Sequence, residues 1–161
     1  MRHVLSVLVN NEPGVLTRVS GLFSARGFNI ESLSVAPVGD GSSSRITMVS
    51  HGDSQITEQI TKQLNKLIPV IRVVDLTDGP HVERELMLIK VSAEREMRAE
   101  IMRIADIFRS RVVDATQVSF IIEVTGGSDK LDACLAMLSP LGVVEMVRTG
   151  KVAMSRGEKK T

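Results

Sequence analysis

Aromatic residues are almost absent from this chain: four Phe, no Tyr and no Trp, 2% of its 161 residues. That scarcity excludes the stacking platforms on which single-stranded nucleic acids are held. Neither sign of charge is in excess, the formal net value being +1 at pH 7. There is no field to steer the chain onto nucleic acid or an anionic lipid surface. A single cysteine, Cys134, excludes an internal disulfide. Its neighbours Leu131, Leu135 and Leu138 make it most simply a buried apolar thiol, not a nucleophile. No apolar run approaches the ~20 residues of a membrane span and no signal peptide is seen, so a cytoplasmic protein is expected. His3, His51 and His81 lack metal-ligand spacing and are expected in solvated or capping roles.

What the chain does have is 43% apolar residues, enough for real cores. The apolar pattern runs twice through one order of elements. In the first half Val4–Val9 reads as a strand and Pro13–Arg26 as a helix, with Leu16, Val19, Leu22 and Phe23 at helical spacing. Asn29–Pro37 and Ser44–His51 read as strands joined across Gly39-Asp40-Gly41. Ile56, Ile60, Leu64 and Leu67 mark a second helix, and Val70–Leu76 a closing strand. Asp78-Gly79-Pro80 breaks the pattern. The second half follows with Leu86–Val91, a helix carrying Met97, Ile101, Ile104, Ala105 and Phe108, strands at Val112–Val118 and Ser119–Val124, a helix at Ser128–Leu138 capped by Ser128 or Asp129, and a strand at Val143–Thr149.

The expected fold class is therefore α+β: two ferredoxin-like βαββαβ units, each an antiparallel sheet with helices on one face. The expected domains are 1–77, a linker at 78–83, and 84–161. Such a unit leaves one sheet face and its edge strands open. A core of about 75 residues gains little by itself, so a homodimer or higher assembly is expected.

The candidate binding chemistry lies at the start of the first helix. Pro13 suits a first helical position, with Asn11 or Glu12 at or before the N-cap. Gly14 leaves the first turn open to close approach. The free N–H groups and dipole of that turn favour a carboxylate. Gly27 fits a left-handed helix stop and delivers Asn29 and Ile30, placing Asn29 beside the first loop. Side-chain oxygens of Asn11 and Asn29 can accept from an ammonium group. This is chemistry for holding a small zwitterion such as a free amino acid; read without a ligand, the same residues are caps and turns. Overlaying Leu22–Arg26 on Ile107–Arg111 sets Ala99 against Gly14 and Asp114 against Asn29, so the second half keeps the scaffold and loses the site.

Asn11-x-x-Gly14-x-Leu16, Arg18, Leu22-Phe23 and Arg26-Gly27-Phe28-Asn29-Ile30-Glu31-Ser32-Leu33 together resemble the amino-terminal ACT domain of acetohydroxyacid synthase (acetolactate synthase) regulatory subunits. His81-Val82-Glu83-Arg84-Glu85-Leu86-Met87-Leu88-Ile89-Lys90 resembles that family's inter-domain junction, and Ser155-Arg156-Gly157 its C-terminal end. The resemblance covers nearly the whole chain. It implies a regulatory subunit with no catalytic residues, metal or cofactor of its own. Its partner would be a catalytic subunit carrying thiamine diphosphate, Mg and FAD, whose activity it raises and makes sensitive to a branched-chain amino acid, usually valine. It also implies an effector site between two ACT domains built from Asn11, Gly14, Val15, Leu16, Asn29 and Ile30. Backbone N–H groups at 14–16 would take the carboxylate, and Val15, Leu16 and Ile30 would wall the aliphatic side chain. The alternative within the same fold is a stand-alone amino-acid sensor acting on another enzyme.

Enzyme and RNA readings are weaker. Arg18 and Asn11 could mimic a phosphate-hydrolysing loop, but the glycine run that cradles a phosphate is missing. Arg95, Arg98, Arg103, Arg109 and Arg111 are interspersed with Glu and Asp and read as a solvated helix face.

Overall fold

The computed structural model describes all residues, Met1–Thr161. Its contacts divide the chain into two compact units, Met1–Val82 together with Gly150–Thr161, and Glu83–Thr149.

In the first unit β1 (Arg2–Asn10), α1 (Val15–Ala25), β2 (Ile30–Val38), β3 (Ser43–His51), α2 (Ser54–Leu64) and β4 (Val70–Asp75) follow the expected βαββαβ order. The sheet order is β2-β3-β1-β4, antiparallel between neighbours, so β2 and β4 are its edges. Period-2 alternation decides what is buried. Leu5, Val7 and Val9 of β1 and Ile46 and Met48 of β3 meet Val15, Val19 and Phe23 of α1 and Ile60 and Leu64 of α2 in one core. α1 ends in a left-handed cap. Gly27 has φ +70°, its N–H donates to Ser24 O (3.1 Å), and the Phe28 N–H reaches Phe23 O (3.0 Å). Phe28 then packs onto the core that holds Phe23, fixing the entry to β2. Asp53 caps α2 by accepting from the Gln55 N–H (2.7 Å).

The opposite face of this sheet is not wholly open. Val4, Val49 and Leu76 form a second small core with Ala153, which lies on β9 (Val152–Ser155). Gly150 runs against the backbone of Leu33, where an added Cβ would stand 2.6 Å from the carbonyl oxygen. Residues 150–161, expected with the second domain, thus pack in the first unit. The apolar patch left by β1, β3 and Leu76 is what they cover.

In the second unit β5 (His81–Ser92), α3 (Arg98–Ile107), β6 (Arg111–Ala115), β7 (Ser119–Gly126), α4 (Ser128–Leu138) and β8 (Val143–Arg148) repeat the order, with sheet order β6-β7-β5-β8. Met87, Ile89 and Val91 pack with Phe120, Ile122, Val124, Ile101, Ile104, Leu131, Cys134 and Leu138. Cys134 is fully buried, and burial pushes its thiol pKa up. β5 begins at His81, so residues 81–83 are strand and not linker.

Several local expectations are corrected. α4 has Gly127 at its N-cap and no side-chain cap. Ser128 instead donates to Glu85 (2.5 Å), a buried carboxylate that also pairs with Arg148. His3 is buried, not solvated, between Gly52 O (3.3 Å) and Thr77 Oγ1 (3.5 Å). Arg98 leaves the solvated set: it donates to Ala93 O (3.0 Å) and Thr116 O (2.5 Å) and lies 5.1 Å from the Phe120 ring centre.

The repeat also changes register. α3 ends in the same cap as α1, with Ser110 N–H on Ala105 O (2.8 Å) and Arg109 N–H on Asp106 O (3.0 Å). Its left-handed residue is Arg109, at φ +51°. Gly27 therefore corresponds to Arg109, and the sequence overlay was displaced by three residues. It matched Leu-Phe with Ile-Phe, whereas the backbone matches cap with cap.

Candidate functional site

The helix start differs from expectation. α1 begins at Val15, and its N-cap is Gly14 in a left-handed conformation, φ +85° and ψ −5°. Pro13 lies in the turn before it, not at the first helical position. No side chain caps this end. The Val15 N–H has a long bond to Glu12 O (3.4 Å), while the N–H groups of Leu16 and Thr17 have no partner in the chain. Above Gly14 there is open space, with nothing within 4 Å of an added Cβ. These are the donors and the clearance that a carboxylate needs.

Asn11 is held in place by the β2–β3 turn. Its backbone N–H donates to Ser42 O (2.9 Å) and its Nδ2 to Gly41 O (2.8 Å). With Nδ2 engaged, Oδ1 remains the free acceptor. Val15 is buried in the unit's own core, so its side chain cannot wall a ligand. Leu16 is 42% exposed and can.

Asn29 and Ile30 lie elsewhere. β1 pairs β3 with Asn10 opposite Ser43 and Arg2 opposite His51, and Ile30 pairs Ser50. The eight steps of β3 from Ser43 to His51 put Asn29 about 26 Å from the Asn11 end. Within one chain the structure brings Asn11, Gly14 and Leu16 together and leaves Asn29 and Ile30 at the far end of the sheet. The reason is the direction of α1, which carries the chain back along the sheet before β2 starts. Asn29 is exposed there, and Ile30 is half-buried against the first core. Next to them Glu31 pairs with His51 (3.0 Å) and Arg2 (3.5 Å). This cluster is not visible in the sequence, since it depends on strand register.

In the second unit the equivalent helix start is Met97, with φ −92° and ψ −15°. It offers neither a glycine nor an asparagine loop. No group of three or more His, Cys, Asp or Glu is gathered as a metal site, and no helix is long and apolar enough to cross a membrane.

Two ferredoxin-like units, the first with an open helix start at an Asn-x-x-Gly loop beside an unpaired edge strand, define an α+β protein of the ACT class. Comparison with known proteins carries this further. Residues 5–72 match the model of the AHAS small subunit-like ACT domain, and residues 84–157 that of the small subunit of acetolactate synthase. The chain is 53% identical over 160 residues to a probable acetolactate synthase small subunit of Archaeoglobus fulgidus, covering 99% of this chain and 100% of that one. It is 51% identical over 160 residues to the acetolactate synthase isozyme 3 small subunit of Salmonella typhimurium, covering 99% and 98%. The crystal structure of the acetolactate synthase small subunit from Thermotoga maritima superposes with a TM-score of 0.91 at 40% identity, covering 99% of both chains. The chain belongs to the acetolactate synthase small subunit family.

Proposed function

We propose that this chain is the regulatory subunit of an acetolactate synthase, that it binds and activates the thiamine-diphosphate catalytic subunit, and that it makes that enzyme sensitive to feedback by a branched-chain amino acid, valine first. Thiamine diphosphate, Mg and FAD belong to the catalytic partner in this reading, and the small chain supplies no catalytic group.

One observation supports the effector site above the others. Asn11 and Gly14 lie at one end of the first sheet, Asn29 lies at the other, and β2 between them is an unpaired edge. A two-fold axis beside an antiparallel β2–β2′ pair sets the start of one β2 against the end of the other. Asn29 of a second copy then comes to the Val38–Ser42 turn, to which Asn11 is bonded. The residues that are separated in one chain are joined in the dimer, and each dimer holds two such sites. The free N–H groups of Leu16 and Thr17 take the carboxylate, Asn11 Oδ1 faces the ammonium, and exposed Leu16 lies against the aliphatic side chain.

The energetics suit a sensor. A micromolar to millimolar constant corresponds to about −8 to −4 kcal/mol, which a few charge-assisted hydrogen bonds and one buried aliphatic side chain supply. Inhibition requires the effector to bind two states differently, by about 1–3 kcal/mol in typical cases. A site split between two chains provides that difference, because any change in their packing alters both halves.

The test is reconstitution. The chain is mixed with an acetolactate synthase catalytic subunit and assayed with and without valine, leucine and isoleucine. Activation together with inhibition by at least one of them is expected. Amino-acid binding with no effect on that enzyme identifies a stand-alone sensor instead.

A further inference from the structure

We infer that Asp40, which touches no effector in the site proposed above, is a positioning residue for that site: its carboxylate sets the turn that holds Asn11. The inference rests on the effector reading and adds the element that tunes it. Asp40 Oδ1 accepts both from the Ser42 N–H (2.9 Å) and from Ser42 Oγ (2.6 Å). The turn on either side is bent by two left-handed glycines, Gly39 at φ +61° and Gly41 at φ +86°, and closed by Gly41 N–H on Val38 O (3.1 Å). Its next two carbonyls, Gly41 O and Ser42 O, are the ones that receive Asn11 Nδ2 and the Asn11 N–H. The line of contact is therefore continuous: carboxylate, serine, two carbonyls, asparagine amide.

Each link fixes a degree of freedom that the effector would otherwise have to order on binding. Two flexible glycines flank Asp40, so without the carboxylate the turn has many conformations and few reasons to choose this one. With the turn set, Asn11 is held through its backbone N–H and its side-chain Nδ2, and the direction of Oδ1 is decided before a ligand arrives. The same Ser42 hydrogen bonds hold the Asp40 carboxyl below its ordinary pKa, which keeps the acceptor charged. Asp40 is exposed and outside both apolar cores, so changing it leaves the fold intact.

The experiment uses the full chain and L-valine. Affinity is measured by calorimetry for the unmodified protein, Asp40→Ala, Asp40→Asn and Ser42→Ala, and the Asn11 side-chain amide is followed by NMR without ligand. Asp40→Ala removes both bonds and is expected to weaken binding by roughly three- to tenfold. Asp40→Asn keeps an acceptor oxygen and recovers most of the loss, and Ser42→Ala, which removes one bond, falls between. In Asp40→Ala the Asn11 amide protons shift and exchange faster while the melting temperature falls by no more than a few degrees, a signature that a purely structural role for Asp40 would not give. Unchanged valine affinity and an unchanged Asn11 amide in Asp40→Ala overturn the inference and leave the effector reading standing. If the unmodified chain binds no branched-chain amino acid, the effector reading fails, and the affinity role of Asp40 fails with it.

Discussion

Gly14 offers a way to separate backbone strain from charge at the proposed effector site. Its φ of +85° is costly for any residue with a Cβ, yet an added Cβ would meet nothing within 4 Å. Gly14→Ala therefore costs only the strain of the left-handed conformation, about 1–2 kcal/mol. In a domain of this size each kcal/mol lowers the melting temperature by roughly 4–8 °C. Gly14→Asp strains less, because a short polar side chain tolerates this region. It instead places a carboxylate in the open space where the effector's carboxylate is proposed to lie. At about 5 Å the repulsion is near 1 kcal/mol in bulk water and near 3 kcal/mol at the effective dielectric of a protein surface. Valine affinity should fall by about fivefold to more than a hundredfold. The two variants thus cross: Ala is the less stable, Asp the worse binder. Gly14→Asn tolerates the backbone without the charge and should keep most of the binding. Calorimetric titration with L-valine, thermal melts, and assay of the reconstituted enzyme measure all three, with activation of the catalytic subunit expected to survive. Gly14→Asp binding valine as tightly as the unmodified chain would refute the placement of the carboxylate. A loss of binding that tracks the loss of stability across the series would refute the electrostatic argument.

Other perturbations probe separate parts of the molecule. Asn29→Ala should weaken valine binding in calorimetry although Asn29 lies far from Asn11 in its own chain, and an unchanged affinity removes it from the site. Arg109→Gly relieves a left-handed Arg on an exposed helix cap and should stabilise the second unit by about 0.5–1 kcal/mol in urea unfolding. Glu85→Ala leaves Arg148 and Ser128 without their shared carboxylate. Because Arg148 keeps Asp132 at 2.6 Å and is partly exposed, a loss of about 2–3 kcal/mol is expected, less than for a wholly buried pair. Cys134 should resist a thiol reagent at neutral pH until the protein is unfolded by denaturant, since it is buried and its thiol pKa is raised.

Much of the scaffold was legible in the residues. Arg26-Gly27-Phe28 is a complete helix stop in three letters, and Gly39-Asp40-Gly41 sets a hairpin. The spacing of Ile56, Ile60 and Leu64 marks α2, because local signals act over a few residues. The candidate site is legible only as a list. Which residues of that list meet depends on the direction of α1 and the register of β2 on β3, and neither is written locally. Hence Asn29 was expected beside Asn11 and is found at the other end of the sheet. The helix start differs because Pro13 reads as a first helical residue, whereas the left-handed Gly14 delays the helix to Val15. Arg98 and His3 depart from expectation for a different cause. Charge and polarity predict exposure, but both side chains find carbonyl partners within the fold.

The fold-back of residues 150–155 has a consequence for how the chain is made. The patch formed by Val4, Val49 and Leu76 waits for Ala153, so the first unit to be synthesised is among the last to be completed. Until then that apolar surface is bare on a nascent chain that already carries the sheet. A fragment cut at the inter-domain junction would keep that surface bare for good, so its solubility would report the missing strand and not the first unit itself.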